Sequence, residues 1–364
     1  MMSKKRTIDA YFGIPKAKKP RASDLVTLKD ESIEHSIATN PNQGYTRHAS
    51  YPFPIPHLPA ILETEISGPP ARAARVIADQ PDLDLLYFEP YVARRTSRQL
   101  FEFLRAELPF YRVEYDITRG PTKTHIRTPR WTTVFGLDET ARFEAIAPSE
   151  SNSPSDAQSA TERVVDASTG KSVPVGLINT EGPRKQTGYR AIPRPIPHCL
   201  DVLRRSTEAA TGCHFNFCLV NYYASGADSI SFHSDDERFL GPLPAIASFS
   251  LGASRDFLMK HKPPKLEQGE TKSNEPSKPP LKLPLVTGDM VLMRGRTQAN
   301  WLHSIPKRSG RNEWDGGRIN ITFRKALVKG GTENYYQYNV GSGPVYKWNN
   351  AAQEMRPWIQ APEQ

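Results

Sequence analysis

The chain has 364 residues, enough for one large core, with 48 Lys and Arg against 39 Asp and Glu and a formal net charge of +9. That surplus suits a polyanionic partner and leaves the fold open. Cys199, Cys213 and Cys218 lack CxxC spacing, which argues against a disulfide framework or a cysteine zinc site and for a reducing compartment. No apolar run nears membrane-span length, and the polar, basic N-terminus is unlike a secretory signal.

Residues 13 to about 80 are rich in Pro, Ala, Lys and small polar side chains, so residues 1–80 read as a largely disordered arm. Order is expected from Leu83, where LDLLYFEPYV reads as a buried strand. A helix follows, with Leu100, Phe101, Phe103, Leu104 and Leu108 at helical spacing and Thr96 or Ser97 as its N-cap. Residues 149–172 have few large apolar side chains and read as a surface insert, and 262–283 as a second, flexible loop.

One helix is expected around Cys199 to Thr211. From Phe215 on, strand-like runs follow in series: FNFCLVNYY, AIASFSL, DFLMKH, DMVLMR and RINITFRKAL. Strands without alternating helices point to a sandwich or barrel. The fold class is therefore mainly β with flanking helices (α+β). Residues 81–330 would form the main domain and 331–364 a C-terminal extension, whose YYQYNVGSGPVYKW reads as a strand pair covering a sheet edge, with a nucleic-acid contact as the alternative.

The chemistry begins at His233-Ser234-Asp235. In extended chain the two ligating side chains share a face, and imidazole with carboxylate suits iron(II). His303, in NWLHSIP, is a third ligand that a closed β architecture brings near; the plain alternative is a core histidine beside Trp301. The three make a two-histidine, one-carboxylate metal site with open positions. In the last strand, period two places Arg318, Asn320, Thr322 and Arg324 on one face and Ile319, Ile321 and Phe323 on the other. Two inward guanidiniums require anions, which a dicarboxylate such as 2-oxoglutarate supplies. Asn221 and Tyr223, two apart at a strand end, can point the same way.

The blocks NYYASGADSISFHSDDE, SFSLGASRDFLMKHK, GDMVLMRGRTQANWLHSIP and RINITFR, in this order, resemble the AlkB family of nucleic-acid dealkylases, across roughly Leu83 to Lys325. The resemblance implies a double-stranded β-helix (jelly-roll) core, iron(II) on His233, Asp235 and His303, and 2-oxoglutarate and O2 as cosubstrates. It further implies that Asn221, Tyr223, Arg318, Asn320, Thr322 and Arg324 bind 2-oxoglutarate, Arg318 at the distal carboxylate and Arg324 near the metal. HSDDERFLGP and GASRDFLMKHK are most similar to the DNA-repair branch, which implies alkylated DNA as substrate. PRWTTVFG (129–136) and PRKQTGY (183–189) resemble that branch's nucleotide-recognition lid. Arg130, Trp131, Phe135, Asp236 and Glu237 are the candidate substrate contacts, with a buried-core reading open for Trp131 and Phe135 and a charged-loop reading for Asp236 and Glu237.

Near the N-terminus, Ile8, Tyr11 and Phe12 within KRTIDAYF have the spacing of the PIP box, a sliding-clamp docking motif, although Lys5 stands where that motif prefers Gln. PKAKKPR, which follows, resembles a nuclear-import signal. The expectation is a monomeric, nuclear repair enzyme without membrane contact; the alternatives are the same chemistry on RNA or protein, or a non-catalytic, clamp-tethered DNA-binding module.

Overall fold

The computed structural model describes residues 44–119, 122–146, 162–176, 188–263, 279–309 and 317–359. Two short paired strands, β1 (Tyr45–Thr46) and β2 (Ile55–Pro56), precede helix α1 (Ala60–Ser67). Strands β3 (Arg75–Ile77) and β4 (Leu85–Phe88) lead into helix α2 (Arg94–Glu107). Next come β5 (Phe110–Tyr111), a hairpin of β6 (Glu114–Arg119) and β7 (Thr122–Arg127), and β8 (Trp131–Gly136). The pair β9 (Ala141–Ala145) and β10 (Glu162–Asp166) is followed by helix α3 (His198–Thr211).

The second half is strand-rich: β11 (Phe217–Tyr223), β12 (Ile230–His233), β13 (Ile246–Gly252), β14 (Arg255–His261), β15 (Leu281–Leu285) and β16 (Asp289–Met293). A short helix α4 (Thr297–Asn300), β17 (Trp301–Ile305) and β18 (Arg318–Arg324) complete it. Helix α5 (Glu333–Asn339) and strands β19 (Val345–Asn349) and β20 (Glu354–Pro357) follow.

Ten strands form one antiparallel sheet in the order β20-β19-β5-β8-β11-β18-β13-β16-β4-β3, and four form another, β12-β17-β14-β15. The two sheets are the sandwich that the strand series predicts and the jelly-roll core that the AlkB resemblance implies. Tyr223, Val291 and Met293 of the large sheet join Phe257, Met259, Leu283, Trp301 and Ile305 of the small one in a single apolar cluster. On the other face of the large sheet, Val220, Tyr222, Ile319, Ile321 and Phe323 pack with Leu100, Phe101 and Leu104 of α2 and Leu200 and Leu203 of α3. Burying each of these helix side chains contributes about 1.5–3 kcal/mol. Strict alternation along β11 and β18 thus commits one face to the helices and leaves the other for polar side chains.

Several expectations require correction. The arm does not stay outside the fold as far as residue 80: Tyr51, Ile55, Leu58, Leu62 and Ile66 are core residues, and α1 packs on α2 and α3. Proline density misled here, because Pro59 precedes a helix that buries only two of its side chains. Residues 1–43 lie outside the described residues. The N-cap of α2 is Ala93; Thr96 and Ser97 sit inside the helix, where Thr96 donates to Glu65 and Ser97 to the Arg94 carbonyl and receives the Thr287 hydroxyl.

The insert at 149–172 contains β10, whose Val164 and Val165 are buried. Val164 clusters with Leu137, Ala141, Val173 and Tyr189. The insert at 262–283 ends in β15, paired along β14; residues 147–161 and 264–278 lie outside the described residues. Nor does position 330 bound a separate piece, since β19 continues the large sheet through β5 while Trp348 and Met355 enter its core.

Candidate active site

His233 and His303 are direct partners across the β12–β17 pair, which sets their ring centroids 4.3 Å apart. Asp235 follows two residues after His233, and its carboxylate oxygens stand 4.0 Å from Nε2 of each histidine. One ligating atom from each of the three lies within 4.8 Å of the others.

Neighbouring groups orient each ligand. His233 Nδ1 lies 2.8 Å from the Ser231 carbonyl, an acceptor, so this nitrogen carries a proton and Nε2 is the one turned toward Asp235. The Asp235 backbone N–H donates to Gln298 Oε1 at 2.9 Å, and Arg324 Nη2 donates to Asp235 Oδ2 at 2.7 Å. Burial alone would raise the Asp235 carboxyl, but the Arg324 guanidinium and the two imidazoles hold it at about 2. Burial pushes His303 down to about 3, aided by the positive field of His233 and Arg324 against Asp235, so its imidazole is neutral at pH 7. Two imidazole nitrogens and one carboxylate oxygen are the donor set that iron(II) takes. The residues fit the ion.

The ligands open onto a cavity of about 290 Å³ that is also lined by Asn221, Tyr223, Arg318, Asn320, Thr322 and Arg324. Register explains their convergence: Asn221 faces Asn320 and Tyr223 faces Arg318 across β11 and β18. Arg318 is 1% exposed, which pushes its guanidinium down to about 10 despite Tyr223 beside it. Its Nη2 donates to Ser250 Oγ at 2.8 Å, while Nε and Nη1 are buried with no hydrogen-bond partner among the described residues. A buried cation with idle donors is suited to receive a carboxylate.

Arg318 and Arg324 lie six positions apart on one strand, on the order of 20 Å. One small diacid cannot span both, and Arg324 is already anchored on Asp235. Thr322 donates to the Leu219 carbonyl and accepts from Arg324 Nη1, and Asn320 Nδ2 donates to Ser248 Oγ and the Phe249 carbonyl. Both use these donors to position the strand and Arg324.

The candidate substrate contacts divide. Arg130 and Glu237 line the cavity; Arg130 Nε donates to Asn221 Oδ1 at 2.8 Å and Glu237 accepts from Tyr335 at 2.5 Å. Phe135 does not contact the site: it is fully buried in the helix-side core, edge-on to Tyr51. Trp131 shares that face, against Tyr222 and Tyr346 with Arg112 over its ring at 4.2 Å. Pairing of Trp131 with Tyr222 and of Phe135 with Cys218 fixes both away from Asn221 and Tyr223. Asp236 is turned outward to Lys262 at 2.7 Å. Of the second lid-like run, residues 183–187 lie outside the described residues, and the Tyr189 hydroxyl donates to the buried Asp138.

Sequence reading missed Tyr335 and Asn339 of α5, which wall the cavity, and Gln298, which holds Asp235. The only signal for Tyr335 and Asn339 was the tyrosine-rich run at the start of the C-terminal extension.

The chain belongs to the 2OG-Fe(II) oxygenase superfamily, whose family model matches residues 84–324. Among curated proteins it is similar to members named for AlkB. Alpha-ketoglutarate-dependent dioxygenase alkB homolog 3 of Rattus norvegicus is 43% identical over 141 residues, 38% of this chain and 45% of that protein. DNA oxidative demethylase ALKBH2 of Arabidopsis thaliana is 39% identical over 142 residues, 36% of this chain and 44% of the relative. The Homo sapiens ALKBH2 is 38% identical over 144 residues, covering 39% and 51%. The chain thus spans about half the length of these relatives.

Proposed function

We propose that this chain is an iron(II)- and 2-oxoglutarate-dependent dioxygenase that removes alkyl groups from the ring nitrogens of DNA bases. The observation that carries the reading is one cavity lined by His233, Asp235 and His303 together with Arg318, two of whose guanidinium nitrogens are idle. The relatives named DNA oxidative demethylase support DNA as substrate, and the net positive charge suits its phosphates.

His233, Asp235 and His303 would hold the iron, which with 2-oxoglutarate supplies the activation of O2 needed to oxidise an unactivated C–H bond. Arg318 binds the distal carboxylate, and Tyr223 and Asn221 flank it. Phe257, Met293 and Ile305 give the cavity apolar walls that limit water. Arg130 and Glu237 face the base, which must leave the stack to enter. The sum is balanced: an N-methyl base, 2-oxoglutarate and O2 give the restored N–H base, formaldehyde, succinate and carbon dioxide. The alkyl carbon is hydroxylated, and the hemiaminal breaks its C–N bond, returning the proton to the ring nitrogen.

The test supplies iron(II), ascorbate and 2-oxoglutarate with oligonucleotides bearing N-methylated adenine or cytosine, as single strand, duplex and RNA. Formaldehyde and succinate should appear in equal amounts with DNA. Succinate release without formaldehyde would defeat the dealkylase reading, and RNA turnover equal to that on DNA would defeat the DNA preference.

The sequence pattern alone extends the proposal to the nucleus, through PKAKKPR, and to a sliding clamp, through Ile8, Tyr11 and Phe12. These residues lie outside the described residues. Tyr11→Ala combined with Phe12→Ala should weaken clamp binding; unchanged affinity discards the motif.

A further inference from the structure

The family match ends at residue 324, yet Tyr335 and Asn339, beyond it, line the reaction cavity. We infer that the C-terminal extension completes the active site, with Tyr335 as a positioning residue that holds the Glu237 carboxylate against the incoming base. This rests on the dealkylase reading above.

Tyr335 is held on several sides. Its ring meets Phe217 edge-on at 5.2 Å and Phe239 at 5.7 Å, and the Arg324 guanidinium lies 5.2 Å from its centroid. Helix α5 is itself pinned to β8: the Tyr336 hydroxyl donates to the Gly136 carbonyl at 2.7 Å, and Thr132 Oγ1 donates to the Asn339 carbonyl at 2.6 Å. The tyrosine hydroxyl donates to Glu237 Oε1 at 2.5 Å, a short bond typical of a charged acceptor. Glu237 Oε2 is buried and has no hydrogen-bond partner among the described residues.

One carboxylate oxygen is therefore fixed by the extension, and the other is a buried, unpartnered acceptor on a residue that lines the cavity. An ionised carboxylate only accepts. It matches a base edge with an exocyclic amine beside the alkylated nitrogen and repels one with a keto oxygen there. Glu237 leads from an extended backbone into the turn at Arg238–Leu240. Without the Tyr335 hydroxyl its side chain loses the donor that fixes its rotamer. Discrimination should then fall more than chemistry.

The experiment measures kcat/KM on equal-length single strands carrying 1-methyladenine or 3-methylthymine. It uses the full-length iron-loaded protein, Tyr335→Phe, Glu237→Gln and the double variant. Tyr335→Phe keeps the ring over Arg324, so the fold is retained. We expect it to lower the amino-to-keto preference about ten-fold, the scale of one hydrogen bond to a charged group. In the Glu237→Gln background the same change should have little further effect. Equal losses on both bases, or an undiminished effect in that background, would overturn the inference. If the unaltered protein oxidises 2-oxoglutarate but repairs neither base, the dealkylase reading fails first and takes this one with it.

Discussion

Arg318→Met separates what the site needs for ligand from what the fold tolerates without it. Two of the three guanidinium nitrogens are buried and idle, and the third donates to Ser250. A carboxylate received by those idle donors gains two charge-assisted bonds at ~1.5–3 kcal/mol each. Their loss should weaken 2-oxoglutarate binding by roughly 10²- to 10⁴-fold. Without ligand the sign reverses. Idle buried donors cost ~1–3 kcal/mol, and methionine fills similar space without them. The lost Ser250 bond and Tyr223 ring contact offset part of this, leaving a net gain on the order of 1 kcal/mol. Ligand-free Arg318→Met should thus melt about 2 °C higher than the unaltered protein. Titration calorimetry with manganese in place of iron gives the affinity, and melting curves with and without 2-oxoglutarate give the stability. An affinity within three-fold of the original, on the order of 0.6 kcal/mol, or a ligand-free melting point several degrees lower, would refute the assignment of Arg318 as the carboxylate site.

Asp235→Asn should abolish turnover and also destabilise the protein by about 3–5 kcal/mol, because it strands the Arg324 charge in the interior; urea unfolding reads this, and unchanged stability would show that Arg324 finds another partner. Phe135→Ala should cost about 3–5 kcal/mol through a core cavity, without raising KM for DNA in the folded fraction, whereas a stacking role would raise KM and spare stability. Asp116 and Glu114 raise the pKa of His125 across the β6–β7 hairpin. Its charged form therefore supports the hairpin below about pH 6.5, and that support is lost as pH rises through the raised value. The imidazole titration followed by NMR should have its midpoint above 6.5 and fall back in Asp116→Asn; an unmoved midpoint would remove the pairing.

The half of the molecule that builds the candidate site was legible because β periodicity and chemistry coincide there. In RINITFR, alternation alone separates a polar inner face from an apolar outer one, and the structure buries Ile319, Ile321 and Phe323 against helices while Arg318 enters the cavity. The same rule, applied to PRWTTVFG, would have corrected the reading of Trp131 and Phe135. They share a strand face with each other, and once β8 pairs with β11 that face is the one carrying Tyr222. What was missing was the pairing partner, which no local pattern supplies.

The extension's strand pair at the sheet edge was read correctly as β19 and β20, but the arm and helix α5 were illegible for a different reason. Helix α1 buries only Leu62 and Ile66, so its amphipathic signal is weak, and the surrounding prolines argue for disorder by composition. Helix α5 has seven residues, too few for periodicity to speak, and its contribution arises only where β18 ends beside Glu237. Segments whose stability comes from docking onto a finished sheet carry little of their own code. The cavity wall made by Tyr335 is such a case: its chemistry is plain once Arg324 and Glu237 are placed, and unreadable before.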